Sequence, residues 1–330
     1  MGSLRSRAMP FDPAKPPADV RDDVARLAVA LDEKVPRKRL DDNLLVATWN
    51  VRAFGGLTEA WHAGPGDSPK RDMHALLCIA EIVSRFDVVA LQEVKGNLKA
   101  LRHLLKLLGP DWSFVLTDVT KGREGNDERM AFLFDTRRIR MSGLACELVV
   151  PEEDQGALRQ FARTPYAVSF LSAGRDFRAT FILVTLHVLW GKSREERSPE
   201  LKGIADWVAG MARDVNAYDQ NLIVLGDFNI DRRDDANYQA FVSSGLEVPG
   251  ELHEVPRTIF GNSTDRHYDQ IAWFCGAGNV PALSLTYSGK GGCVNFVDVV
   301  FRESTKTELS WKLSDHLPLW VEFLVKPRPA

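Results

Sequence analysis

The chain is poor in the features that mark the more specialised protein classes. Its four cysteines, Cys78, Cys146, Cys275 and Cys293, include no Cys-x-x-Cys pair, which excludes zinc-ribbon and thioredoxin-type readings. They lie in or beside apolar segments and are read as core thiols. No apolar run approaches the roughly 20 residues needed to cross a bilayer, so no membrane span is expected. The N-terminus lacks a long apolar stretch, so no secretory leader is expected and a reducing cytoplasm is the default location. Met1-Gly2-Ser3-Leu4-Arg5-Ser6 fits the loose N-myristoylation pattern, but chance or an expression scar explains it as well. Charge of one sign is also scarce: 42 Lys+Arg against 45 Asp+Glu give a net −3. That excludes a generally basic nucleic-acid coat and leaves room for a local basic groove. No Ser or Cys sits in a nucleophile-elbow pattern, so direct attack by water is the simpler chemistry.

What is present is the composition of a soluble globular protein, 45% hydrophobic and 26% charged over 330 residues. Residues 1 to about 18 carry prolines and basic groups and read as a mobile arm. From Asp19, the residues Val20, Val24, Leu27 and Leu31 share one face of an amphipathic helix that packs on the main body. The chain therefore divides into an N-terminal arm and helix (1–41), one domain without an internal linker (42–326) and a short tail (327–330).

Within the domain, helical spacing recurs over 74–85, 95–108, 197–215 and 236–242. Apolar or alternating runs predict strands at 44–48, 87–91, 114–117, 129–134, 139–150, 166–171, 180–186, 222–225, 268–274, 295–302 and 317–325. The segments 53–69, 120–127, 152–163 and 289–292 read as loops, the last a flexible glycine-rich one. Helices alternate with strands, yet several strand pairs are joined by short turns. This predicts a layered α/β body with mixed sheets.

The most informative stretch is Leu222-Ile223-Val224-Leu225-Gly226-Asp227-Phe228-Asn229. A buried apolar strand ends at a glycine, which permits a tight turn or a close approach. Asp227 and Asn229 follow, and side chains two apart leave an extended segment on the same side. Other predicted strands begin or end in polar groups too, at Asn50, Glu93, Glu128, His187, Asp269, Asp315 and His316. Oxygen ligands of this kind suit magnesium or manganese better than zinc. Glu93 fits the cation, with Asn50 or Asp315 close by. The two imidazoles and several carboxylates allow His–carboxylate pairs, in which the carboxylate fixes the tautomer and raises basicity. Cation, base for water and acid for the leaving oxygen are the needs of phosphoester hydrolysis.

Seven motifs stand in a telling order: Thr-Trp-Asn-Val-Arg (48–52), Leu-Gln-Glu-Val (91–94), Glu-Arg-Met-Ala-Phe-Leu-Phe-Asp (128–135), Leu-His-Val (186–188), Gly-Asp-Phe-Asn (226–229), Tyr-Asp-Gln-Ile (268–271) and Ser-Asp-His-Leu-Pro (314–318). Together they resemble the endonuclease/exonuclease/phosphatase superfamily, DNase I-like branch, over about residues 44 to 325. The resemblance implies a four-layered α/β sandwich with its site at one rim. It implies Asn50 and Glu93 as holders of Mg2+, or Mn2+, with Asp315 near them. It implies Asp227 and Asn229 as the residues that orient water and a phosphate oxygen, and the pairs Asp269–His316 and Glu128–His187. Arg163, in Phe-Ala-Arg-Thr-Pro, resembles an arginine that contacts the scissile phosphate. In one departure, Glu124-Gly125-Asn126-Asp127 stands where DNase I carries a groove-entering tyrosine, and there is no obvious disulfide plan.

The expected function is a divalent-metal-dependent phosphodiesterase of the nuclease type, with DNA favoured over RNA and no obligate protein partner. The alternatives are a phosphatase or phosphodiesterase acting on an inositol phosphate or phospholipid head group, and a non-catalytic interaction protein on the same scaffold. Lys192, Arg194, Arg197, Arg232 and Arg233 follow the predicted catalytic strands; they are either ordinary solvated charges or the lining of a phosphate groove. Trp61, His62 and Trp190 are placed either to stack bases or to pack loops.

Overall fold

A computed structural model describes residues 15–122, 125–149, 161–174, 178–214, 218–261, 266–276 and 280–325. Most of the N-terminal arm, the Met1–Ser6 pattern, Glu124, most of the 152–163 loop, Val215 and the tail lie outside them. In chain order the strands are β1 (Asn43–Phe54), β2 (Val88–Lys95), β3 (Trp112–Leu116), β4 (Glu128–Asp135), β5 (Ile139–Glu147), β6 (Tyr166–Ser172), β7 (Thr180–His187), β8 (Leu222–Asp227), β9 (Leu246–Glu247), β10 (Asp269–Phe274), β11 (Thr286–Cys293) and β12 (Leu319–Leu324). The helices are α1 (Ala18–Lys34), α2 (Met73–Ser84), α3 (Lys99–Leu108), α4 (Ser198–Arg213), α5 (Ala236–Val242) and α6 (Lys306–Lys312).

Among the described residues the strands form two six-stranded sheets. One has the order β11-β12-β1-β2-β4-β3 and the other β5-β6-β7-β8-β10-β9. In each sheet a parallel pair, β1 with β2 or β7 with β8, sits among antiparallel neighbours. The central strands are apolar on both faces because both faces are covered. In β1, Leu44 and Val46 point into the core between the sheets. Leu45, Ala47 and Trp49 point into a second core shared with α1, α2, α3 and α6. The first core continues through the second sheet to Leu201, Ile204 and Val208 of α4 and Phe241 of α5. The result is a four-layered α/β sandwich. The N-terminal helix is part of it, because Leu27 and Leu31 of α1 lie in the second core. Among the described residues, no helix is long and apolar enough to cross a membrane.

Several expectations need correction. The 289–292 segment is not a flexible loop; it forms the body of β11. A register shift between Tyr287 and Lys290, with Gly289 at φ +79°, lets the strand bulge and continue. The segment 295–302 is not a strand. Asp298 and Phe301 adopt left-handed φ values of 62° and 50°, so the chain turns while Phe296 and Val300 plug the second core. Helix α6 escaped the sequence reading because it is short; it begins with a full Thr305/Glu308 capping box. The cysteines are all free, and Cys78 is buried as expected. Cys146 and Cys293 are half-buried, however, and Cys275 is exposed.

Candidate active site

Strand register brings the polar strand ends to one rim. In the second sheet, Asp227 of β8 lies opposite His187 of β7 and opposite Asp269 of β10. The parallel contact is close at Gly226: a Cβ there would lie 2.1 Å from the Leu186 carbonyl oxygen, and its φ is +145°. Only glycine lets β7 and β8 converge at this point. In the first sheet, Asn50 pairs with Gln92 across β1 and β2, which sets Glu93 just beyond Asn50. Antiparallel pairing of β4 places Glu128 beside Lys95. His316 lies just before β12, which runs antiparallel to β1, so it arrives at the same rim. Beneath the rim, Gln92 Nε2 donates to Thr48 Oγ1 (3.1 Å) and to Thr185 Oγ1 (3.0 Å), joining the two sheets through buried hydrogen bonds.

Asp227 is the centre of the cluster. Its Oδ2 accepts from Asn50 Nδ2 at 2.9 Å and its Oδ1 from the Asn229 backbone N–H at 2.9 Å. His187 Nε2 and His316 Nε2 face Oδ2 at 3.6 and 3.8 Å. Each imidazole has a second carboxylate behind it. His316 Nδ1 is 2.7 Å from Asp269 Oδ2, and His187 Nδ1 is 3.2 Å from Glu128 Oε2. The latter approach is a charge contact without hydrogen-bond alignment, as is that of Arg163 Nε to the same oxygen at 2.8 Å. Lys95 Nζ completes the Glu128 shell at 2.8 Å.

These contacts set the protonation states. Burial opposes charge on Glu128, but His187, Arg163 and Lys95 outweigh it and draw the carboxyl down to about 2. Burial likewise opposes charge on Asp227, yet the two facing imidazoles and the hydrogen bonds of Asn50 and Asn229 hold it below the usual carboxylate range. For His316, burial favours the neutral ring. Asp269, Asp227 and Asp315 override that and hold the imidazolium to well above its ordinary pH. Burial raises the Asp269 carboxyl, an effect that His316 opposes.

The other expected residues take distinct places. Asn229, at φ +51°, donates its side-chain amide to the Val188 carbonyl at 2.7 Å. Arg163 is buried, and besides Glu128 it reaches the His187 carbonyl at 3.3 Å. Glu93 sits at φ +61° where the β1–β2 pairing shifts register, and its Oε2 accepts from the Ala53 N–H at 2.8 Å. Asp315 is ion-paired with Arg52 at 3.8 Å. Neither Glu93 nor Asp315 makes a described hydrogen bond or ion pair to Asp227, His187 or His316. The donor set nonetheless suits a hard cation. Asn50 Oδ1 is a buried amide oxygen with no hydrogen-bond partner, and Glu93 stands one register step away.

Of the cations expected to line a groove, Arg197 does not. It is buried, donating to the Trp190 and Asn229 carbonyls at 2.7 and 2.5 Å and to Asp231 at 3.0 Å. It thereby fixes the turn that carries Asn229. Arg194 and Arg232 are paired with Asp231 and Asp234. Trp61 packs against the second core. Trp190 is 53% exposed, its ring 5.7 Å from Tyr268, which in turn lies 5.8 Å from the His316 ring. Sequence reasoning missed Gln92 and Thr185, although Gln92 stands beside Glu93 in its motif. It also missed Arg71, buried and donating to four carbonyls, those of Arg52, Ala53, Lys312 and Leu313. No local pattern marks that arginine.

Two mixed sheets between helical layers, with acids, amides and imidazoles on one rim, define the DNase I-like class of phosphoester hydrolases. The chain belongs to the Endonuclease/Exonuclease/phosphatase family, whose sequence profile matches residues 47–281. It is 29% identical over 312 residues to a deoxyribonuclease of Thioalkalivibrio sp. (strain K90mix), covering 90% of this chain and 75% of that protein. It is 26% identical to deoxyribonuclease gamma of Rattus norvegicus over 57% of this chain and 56% of the relative. The fold is also that of a mannosyl-6-phosphatase from Bacteroides thetaiotaomicron, with a TM-score of 0.53 at 19% identity, over 85% of this chain and 99% of that one.

Proposed function

We propose that the chain hydrolyses phosphodiester bonds of nucleic acid, DNA in preference to RNA, with a divalent cation held by Asn50 and Glu93 and near Asp315. One observation carries the reading: Asp227 Oδ2 lies between two imidazoles, and each imidazole is backed by its own carboxylate. When bound, magnesium or manganese supplies positive charge to the phosphate oxygens.

The chain's own residues do the rest. Asp227, held ionised, orients the attacking water and takes its proton as oxygen attacks phosphorus. His316, held as imidazolium against Asp269, gives its Nε2 proton to the leaving oxygen as the P–O bond breaks. His187, kept in place by Glu128, is the second imidazole that faces Asp227 Oδ2. Asn229 directs its remaining amide atoms to water and a phosphate oxygen. Arg163 acts through Glu128 and the His187 carbonyl as a positioning residue. DNA is supported by the similarity to the Thioalkalivibrio deoxyribonuclease along most of the chain. The exposed Trp190 ring, connected to His316 through Tyr268, offers a nucleobase a stacking face beside the site.

The test is cleavage of supercoiled plasmid, single-stranded DNA, RNA and sugar or inositol phosphomonoesters, with magnesium, manganese or chelator. Plasmid cleavage should vanish with chelator and fall about 10²- to 10⁴-fold in Asp227→Ala and His316→Ala. Turnover of phosphomonoesters alone would replace this reading with a phosphatase.

A further inference from the structure

We propose a second metal site, distant in chemistry from the rim, in which His62, His74 and Asp19, with Asp23 alongside, bind a borderline transition-metal ion such as zinc. One imidazole nitrogen each from His62 and His74 and a carboxylate oxygen of Asp19 lie within 4.8 Å of one another. His62 Nε2 is 3.2 Å from Asp19 Oδ2, and His74 Nε2 is 3.1 Å from Asp23 Oδ2. The rings of His62 and His74 meet edge to face, with centroids 5.7 Å apart.

The second observation is His74 itself. It is 4% exposed, and its Nε2 is buried without a hydrogen-bond partner. Its polar neighbour is Asp23 Oδ2 at 3.1 Å, a charge contact without hydrogen-bond alignment, which leaves the nitrogen lone pair open to a cation.

The neighbourhood is built rather than accidental. Asp19 and Asp23 lie one turn apart on α1, and His74 is in the first turn of α2. The His74 ring packs on Phe301 at 4.0 Å, and Asp23 Oδ2 accepts the Phe301 N–H at 2.8 Å. Asp72 caps α2 and also accepts the Ala63 N–H at 2.9 Å, holding the loop that carries His62 against the helix. Thus His74 is fixed, with Asp23 held beside it by Arg26 and the Phe301 N–H, and the two exposed ligands, Asp19 and His62, can move. Tetrahedral zinc with bonds of about 2.1 Å separates its ligands by about 3.4 Å, so Asp19 and His62 need only swing inward by about 1 Å. Two imidazoles and carboxylates select zinc-like ions, whereas the oxygen-rich rim suits magnesium. Bound there, the ion would clamp α1 to α2 and to the loop leading out of β1.

The experiment is calorimetric titration of zinc chloride into the full chain in excess magnesium, with cobalt(II) absorption as an independent report of imidazole ligation. Expected is one zinc per chain and a zinc-dependent rise in melting temperature. Both should weaken at least about tenfold in His62→Ala and in Asp19→Ala, whose exposed positions leave the fold and its circular dichroism intact. Zinc binding should survive Glu93→Gln. Zinc affinity unchanged in both exposed-ligand variants, zinc binding lost only in Glu93→Gln, or no binding at all would each overturn the proposal. None of these outcomes depends on which substrate the enzyme cleaves.

Discussion

Glu128→Gln isolates what a buried carboxylate contributes at the edge of the site. The change keeps volume and removes the charge around which His187, Arg163 and Lys95 gather. The carboxyl falls from an ordinary 4.5 to about 2 on folding. A gap of about 2.5 pH units at about 1.4 kcal/mol each amounts to about 3 kcal/mol at neutral pH. Because the folded value is depressed, the stabilisation is complete above the unfolded value near 4.5 and fades as pH falls toward 2. By pH 3.5 about 1.4 kcal/mol of it should be gone. Urea unfolding of wild type and Glu128→Gln, followed by circular dichroism from pH 7 to 3.5, reads the difference directly. The variant should be less stable by about 3 kcal/mol at pH 7, and the gap should narrow with acid. A gap that stays constant across that range would refute the assignment of Glu128 as an ionised hub. It would reduce the residue to a packing role.

Three further outcomes follow from the geometry. In Asp269→Asn, burial again favours a neutral His316 ring, so its imidazole should titrate at lower pH than in the wild type. The alkaline limb of the rate profile should move down with it; an unchanged NMR titration of that ring would remove Asp269 as its support. Gly226→Ala places a methyl group against the Leu186 carbonyl at a φ reserved for glycine, and should destabilise by about 3 kcal/mol or more. A melting temperature within 1–2 °C of wild type would contradict the close approach of β7 and β8. Arg71→Met leaves four carbonyls, one buried and three half-buried, without their donor and should cost about 3 kcal/mol or more in urea unfolding. Arg71→Lys should recover little, since one ammonium cannot span the same four acceptors; full recovery would show that charge alone matters there.

The sequence by itself determined most of the strands. Runs such as Leu222–Leu225 are apolar on every residue because both faces of the sheet are covered. Their polar ends stood out against the apolar runs that precede or follow them. Gly226 announced a tight turn or a close approach, and the order of seven short motifs announced the family. Local patterns failed where stability comes from elsewhere. The glycines of β11 read as a loop because the partner that orders them, β12, lies about 30 residues on. The apolar 295–302 segment read as a strand, although its side chains fill the second core from a turn. Only the tertiary structure decided that Asp227, and not Glu93, is the point where both imidazoles converge. It alone revealed that Arg197 is buried beneath Asn229, and that Arg71 holds β1 to the segment after α6. Those facts rest on register between strands and on contacts between residues far apart in the chain, and hydrophobic periodicity carries no record of either.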